Sequence, residues 1–201
     1  YRGLNPAHGL APIQLNEDNT DDIHQQGGTI LGSSRGEESA EIMVETLARM
    51  NINLVFCIGG DGTARGAHDI AVEAERRGLS ISVISIPKTI DNDIAFIDKS
   101  FGFETAVYMA GIFAAGAHNE AKGAYNGIGL VKVMGRDSGF IAAYATLAQS
   151  YVNYCLVPES KFVLDGDGPD ALLPHLYKRM LEKQHAVIMV AEGAGQELFP
   201  Q

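Results

Sequence analysis

Along this chain, short apolar runs trade places with longer stretches whose apolar residues recur at helical spacing. Residues 53–58, 81–86, 128–133, 154–157 and 186–191 are apolar runs of strand length. Between them the spacing predicts helices over 39–50, 64–77, 101–118, 138–149 and 170–183. In the first of these Ile42, Met43, Leu47 and Met50 hold one face, and Gly78 stops the second. Upstream, residues 1–19 carry Pro6 and Pro12, show no period and read as loop. Residues 21–26 read as the end of a helix stopped by Gly27-Gly28, with a short strand over 29–31. Strands and helices alternating at this spacing make βαβ units with right-handed crossovers. The expected fold is therefore α/β: a doubly wound, mainly parallel sheet with helices on both faces, Rossmann-like in its layering.

Composition narrows this. With 201 residues and 46% hydrophobic content, the chain suffices for one substantial domain. No apolar run is long enough to span a membrane, and the first residues lack the layout of a secretory signal. The chain starts at Tyr1 rather than Met, which leaves room for a targeting segment upstream. A net charge of −10 opposes nonspecific binding to nucleic acid or acidic lipid, so a phosphorylated ligand must find local positive charge. Cys57 and Cys155 both sit in apolar strand-like runs, which favours buried free thiols and a reducing compartment. The six histidines show no metal spacing. Asp165-Gly166-Asp167-Gly168-Pro169 superficially resembles a calcium loop but lacks its later glutamate, and reads as a surface turn.

Two stretches carry the chemistry. Ile58-Gly59-Gly60-Asp61-Gly62-Thr63 joins a strand to a helix. Its glycines allow a sharp turn and leave room for a ligand at the backbone N–H groups and the positive end of the helix. Asp61 would repel a bound phosphate unless a divalent cation, Mg²⁺, stood between them. The same residues also suit a plain strand-to-helix turn. The second stretch is Pro87-Lys88-Thr89-Ile90-Asp91-Asn92-Asp93. If it is an extended loop, Thr89, Asp91 and Asp93 share a face, the two carboxylates about 6–7 Å apart. Such a group can divide the work of deprotonating a hydroxyl and holding a metal or its waters. A turn built on Asx caps is the alternative.

Taken together, the two stretches resemble the phosphofructokinase family, and four more carry the match in the same order. Gly28-Thr29-Ile30-Leu31-Gly32-Ser33-Ser34-Arg35-Gly36 resembles the family's arginine-bearing donor loop, and Phe101-Gly102-Phe103-Glu104-Thr105-Ala106 the start of its next helix. Val131-Lys132-Val133-Met134-Gly135-Arg136 is similar to the sugar-phosphate loop, and Val190-Ala191-Glu192-Gly193 to the strand end whose glutamate holds the sugar. The resemblance implies transfer of the terminal phosphoryl of ATP to the 1-hydroxyl of fructose 6-phosphate, with Mg²⁺ as cofactor. It makes Asp91, Thr89 and Arg136 the catalytic set, with Asp91 as base. It gives Arg35, Gly36, Gly60, Asp61, Gly62 and Thr63 to the donor, and Asp61 and Asp93 to the metal. It assigns Thr89, Ile90, Asp91, Met134, Gly135, Arg136 and Glu192 to the sugar phosphate.

Donor choice rests on Gly62, where the pyrophosphate-using branch commonly has aspartate, and on Lys88, where bacterial-type ATP enzymes usually have glycine. The combination is similar to the plant-type and protist ATP-dependent branch, with pyrophosphate as the alternative donor. The resemblance further implies one phosphofructokinase domain over 1–201, incomplete at both ends, with the donor-binding part over about 20–125 and the sugar-phosphate part over 126–201. It implies a cytoplasmic homo-oligomer, tetrameric in the family, or a plastid one if a targeting segment precedes Tyr1. Gly127 stands where bacterial-type enzymes offer an arginine to a neighbouring subunit, so that contact is not expected here. The glycine loop alone also suits an NAD-kinase-like or lipid-kinase-like protein, and a truncated relative could serve as a non-catalytic subunit. Because Arg35, Asp61, Asp91, Arg136 and Glu192 all lie just after predicted strands, ligand binding is expected at the strands' carboxyl ends.

Overall fold

The computed structural model describes residues 1–199, in two compact units that meet in sequence between residues 86 and 87. In the first unit a short helix α1 (Glu17–Thr20) is followed by α2 (Ala40–Arg49), β1 (Leu54–Gly59), α3 (Asp61–Arg76) and the first part of β2 (Ser82–Thr89). Ser39 caps α2, its hydroxyl accepting from the Ile42 N–H at 3.4 Å. Met43, Val44 and Leu47 of α2 and Ile70 and Ala74 of α3 pack on Val55 of β1 and Val83 of β2. Ile42 and Met50 face outward instead of joining this face, with Val44 and Thr46 buried in their place. Strand periodicity leaves Leu54, Phe56 and Ile58 exposed on the other side of β1. The expected strand over 29–31 is absent: Thr29 to Gly32 form an exposed turn, with the Gly32 N–H reaching the Thr29 carbonyl at 3.5 Å. Three residues with no neighbouring strand beside them have nothing to pair with.

Glu73, buried on α3, ties two arginines of the helix end together. Its carboxylate accepts from Arg76 Nε at 2.6 Å and Nη2 at 2.8 Å and from Arg77 Nε at 2.6 Å. The two guanidinium groups pull its pKa from the ordinary 4.5 down to about 2.

The second unit contains the end of β2, β3 (Phe101–Gly102), α4 (Phe103–Gly123), β4 (Gly127–Val133), α5 (Phe140–Ala148), β5 (Tyr154–Leu156), α6 (Leu172–Lys183) and β6 (His185–Ala191). The order of its larger sheet is β4-β6-β5, with both pairings parallel. Alternation along β6 separates two cores: Met189 and Ala191 pack with Phe103, Ala110 and Ala114 of α4 and Ile141 and Ala145 of α5, whereas Ala186 and Ile188 pack with Leu176 of α6. Helices therefore cover both faces of this sheet, as expected, and each fully buried Phe, Met or Ile contributes about 1.5–3 kcal/mol.

Helix α4 lies close on β4 because glycines face it. A Cβ at Gly127 would fall 2.8 Å from the Ala121 Cα, and one at Gly129 would fall 2.8 Å from the Ala117 oxygen. This gives Gly127 a packing reason of its own. Among the described residues no helix is long and apolar enough to cross a membrane.

Candidate active site

In the first unit, β1 ends at Gly59, where a Cβ would meet the Thr63 Cβ at 2.7 Å, so the turn requires glycine. Gly60 is the extended N-cap of α3, and Thr63 and Ala64 N–H groups both donate to its carbonyl at 3.0 Å. The helix therefore starts at Asp61, three residues before the expected start at Ala64, which puts that carboxylate in the first turn at the positive helix end. Arg65 Nη1 donates to Asp61 Oδ2 at 3.0 Å. Around Gly62 there is open space, the nearest atom to an added Cβ being Arg65 Nη2 at 3.9 Å. The Tyr1 hydroxyl donates to the Gly62 carbonyl at 2.6 Å. Arg35 is exposed in a loop whose Gly36 has φ of 116°; with no strand before it, Arg35 departs from the strand-tip pattern expected of all five residues.

Mg²⁺ binds through one or two carboxylates plus substrate phosphates and keeps several waters, so it needs no cage of protein ligands. Among the described residues no three His, Cys, Asp or Glu side chains gather into one. The Asp61 carboxylate at a helix N-terminus, 37% exposed and beside open space, fits an ion that arrives on a nucleotide.

In the second unit, three strand ends bring their loops together. Strand β2 does not stop at Ile86 as expected but runs through Pro87 to Thr89, where Lys88 and Thr89 pair in parallel with Phe101 and Gly102. Thr89 Oγ1 donates to Asp91 Oδ2 at 3.1 Å and accepts from the Asp91 N–H at 3.2 Å. Beyond Asp91 the extended-loop argument fails: Asn92 is left-handed, φ 56°, so Asp91 and Asp93 do not share a face by simple alternation. Asn92 is buried and its amide holds the loop, with Oδ1 accepting from the Ser100 N–H at 2.8 Å and Nδ2 donating to the Asp98 carbonyl at 3.2 Å. Ser100 Oγ in turn donates to the Thr89 carbonyl at 2.7 Å.

Asp93 faces Arg136, Oδ2 to Nη1 at 3.7 Å. Arg136 sits in a turn after β4 with φ of 55°, following Gly135 at 143°. A Cβ at Gly135 would stand 2.5 Å from the Ser138 carbonyl oxygen. The turn is held from β6 by Glu192, whose Oε1 accepts from the Arg136 N–H at 2.8 Å and the Gly135 N–H at 3.3 Å. Met134 beside it is 60% exposed. Ser138 Oγ donates to the Asp91 carbonyl at 2.9 Å, and Glu159 Oε1 accepts from the Gly139 N–H at the start of α5 at 2.8 Å. Thr89, Asp91, Asp93, Arg136 and Glu192 thus form one constellation. The residues that hold it, Asn92, Ser100, Ser138 and Glu159, have no periodic signature. For Asn92 and Ser138 the nearest signal is a polar residue one or two positions from a chemically active one, whereas Ser100 and Glu159 lie far along the chain from any of them.

Cys57 and Cys155 are free and half-buried, and burial pushes both thiols up from their ordinary values.

Polar loops gathered at the carboxyl ends of parallel strands place this chain among the open-sheet α/β proteins that receive ligands there. Residues 1–199 match the phosphofructokinase family, and the chain belongs to it. It is 58% identical over 205 residues to an ATP-dependent 6-phosphofructokinase of Borreliella burgdorferi, covering 99% of this chain and 45% of that protein. It is 50% identical over 199 residues to ATP-dependent 6-phosphofructokinase 7 of Arabidopsis thaliana, covering 99% of this chain and 40% of that protein. The chain spans less than half the length of these curated relatives. Among solved structures, a pyrophosphate-dependent phosphofructokinase from Marinobacter aquaeolei superposes with a TM-score of 0.73 at 26% identity, over 89% of this chain and 46% of that one.

Proposed function

We propose that the chain performs the 6-phosphofructokinase reaction with ATP, transferring the terminal phosphoryl to the 1-hydroxyl of fructose 6-phosphate. The observation that carries this reading is the Asp91 carboxylate, held by Thr89 and grouped with Asp93, Arg136 and Glu192. Identity to relatives named for the ATP-dependent reaction supports the donor.

Asp91 takes the proton of the 1-hydroxyl as its oxygen bonds to the terminal phosphorus and the bond from that phosphorus to the bridging oxygen of ADP breaks. Thr89 and Arg136 contact the transferring group, the guanidinium matching charge that spreads over its oxygens. Glu192, Gly135, Met134 and Ile90 shape the sugar-phosphate pocket. Asp61, in the first unit, would hold Mg²⁺, which when bound supplies charge neutralisation at the donor phosphates, and Asp93, in the second, stands beside Arg136. Arg35, Gly36, Gly60, Gly62 and Thr63 receive the donor, with the positive end of α3 toward its phosphates.

Open space at Gly62 favours a nucleotide, while Lys88 suits pyrophosphate. We place the reaction in the cytoplasm, in a homo-oligomer. The test is formation of fructose 1,6-bisphosphate by the purified chain with Mg²⁺ and either ATP or pyrophosphate. Turnover with ATP supports the reading, turnover with pyrophosphate alone overturns the donor, and no product with either overturns the reaction.

A further inference from the structure

The Asp91 loop is fixed on two sides by groups that belong to its own stretch of chain. Upstream, Thr89 is anchored by pairing with Gly102 and by Ser100 Oγ on its carbonyl. Downstream, the buried Asn92 amide grips Ser100 and Asp98. What these leave is the peptide plane between Asp91 and Asn92, and its carbonyl is taken by a side chain from another loop, Ser138. Ser138 is buried, 7% exposed, and belongs to the turn that carries Arg136, with its own N–H donating to the Gly135 carbonyl at 2.9 Å. The turn closes tightly on itself, which is why position 135 requires glycine: a Cβ there would stand 2.5 Å from the Ser138 carbonyl oxygen. Glu192 holds the same turn from β6.

We propose that Ser138 is a positioning residue for the transfer: its hydroxyl on the Asp91 carbonyl sets the place of the Asp91 carboxylate relative to Arg136, so that base and guanidinium act from one rigid body. This rests on the phosphofructokinase reading given above. The Asp93–Arg136 pair also links the two loops, but at 3.7 Å, with the Arg136 side chain more than half exposed, it is looser than the 2.9 Å hydroxyl bond of a buried serine. Without that bond the Asp91 peptide can rotate and carry its carboxylate off line, and a misplacement of about 1 Å can cost about 10²-fold in rate. Substrate affinity, which rests on Arg136, Glu192 and the turn around them, keeps its contacts.

The test compares wild type, Ser138→Ala, Asp91→Asn and the double variant in the full chain, by steady-state kinetics with fructose 6-phosphate and MgATP. Amide hydrogen exchange of peptides covering residues 87–98 is followed in parallel. The expected result is a fall in kcat of about tenfold for Ser138→Ala, KM for the sugar phosphate within about twofold, and faster exchange in the Asp91 loop. In the Asp91→Asn background, Ser138→Ala should cost no further rate, because nothing remains to be positioned. An equal loss in both backgrounds, or an unchanged kcat, overturns the proposal. If wild type transfers no phosphoryl group at all, the functional reading fails, and exchange alone decides the tie: faster exchange in Ser138→Ala upholds it and unchanged exchange rejects it.

Discussion

Substituting Gly127 by alanine tests the packing that sets β4, the strand whose end leads into Arg136. The new Cβ would lie 2.8 Å from the Ala121 Cα, whereas carbon atoms rest about 3.5–4.0 Å apart. Strand and helix must therefore separate by about 1 Å, or their backbones must bend. Overpacking of this kind costs about 1–3 kcal/mol. Each kcal/mol shifts the melting temperature of a protein this size by about 2–4 °C, so Gly127→Ala should melt about 2–12 °C lower. The same change at Gly116, in the interior of α4, has nothing within 4 Å of the added Cβ. It should instead gain up to about 1 kcal/mol from helix propensity and melt a few degrees higher. The two substitutions add the same atom within one unit, so opposite signs isolate the close approach. Thermal unfolding followed by circular dichroism and differential scanning fluorimetry reads both. A Gly127→Ala variant that melts at or above wild type would refute the reasoning.

Three further outcomes follow from the site and its surroundings. Gly62→Asp should fold normally, since the position is open, yet lose at least about tenfold in kcat/KM for ATP, because a carboxylate beside the donor opposes its phosphates; unchanged ATP kinetics would contradict the role of Gly62. Arg136→Ala should raise KM for fructose 6-phosphate and lower kcat together, since one guanidinium serves both ground and transition states; steady-state constants equal to wild type would count against it. Glu73 has a folded pKa of about 2 against an ordinary 4.5, so its ion pairs stabilise fully above pH 4.5 and lose that contribution as pH falls toward 2. The gap in melting temperature between wild type and Glu73→Gln should close over that interval, and a gap that stays constant would show that the pairs do not act through charge.

Much of this was readable from the residues, and the failures have particular causes. The alternation of elements and the β6 core came through because buried parallel strands read as apolar runs. Helix α3 began early because Gly60, extended and without a side chain, serves as its cap, and a glycine there looks like part of the turn. The reading of Asp91 and Asp93 as neighbours on one face assumed extended backbone, and the left-handed Asn92 broke it. Even so, Asp93 meets Arg136 and Asp91 meets Thr89, so the grouping stands on different geometry from that expected. The expected strand over 29–31 failed because a run as short as Thr29-Ile30-Leu31 carries no information about a pairing partner. Asn92, Ser100 and Ser138 went unread because a buried polar residue in a loop declares itself only through the groups it satisfies.

The account depends most on Asp91 acting as the base. Replacing it with asparagine preserves the size of the side chain and an acceptor for Thr89, while removing the ability to take a proton. With fructose 6-phosphate and MgATP at saturation, Asp91→Asn should turn over at least about 10²-fold more slowly than wild type, with a melting temperature close to the wild-type value. Turnover at the wild-type rate would contradict the account.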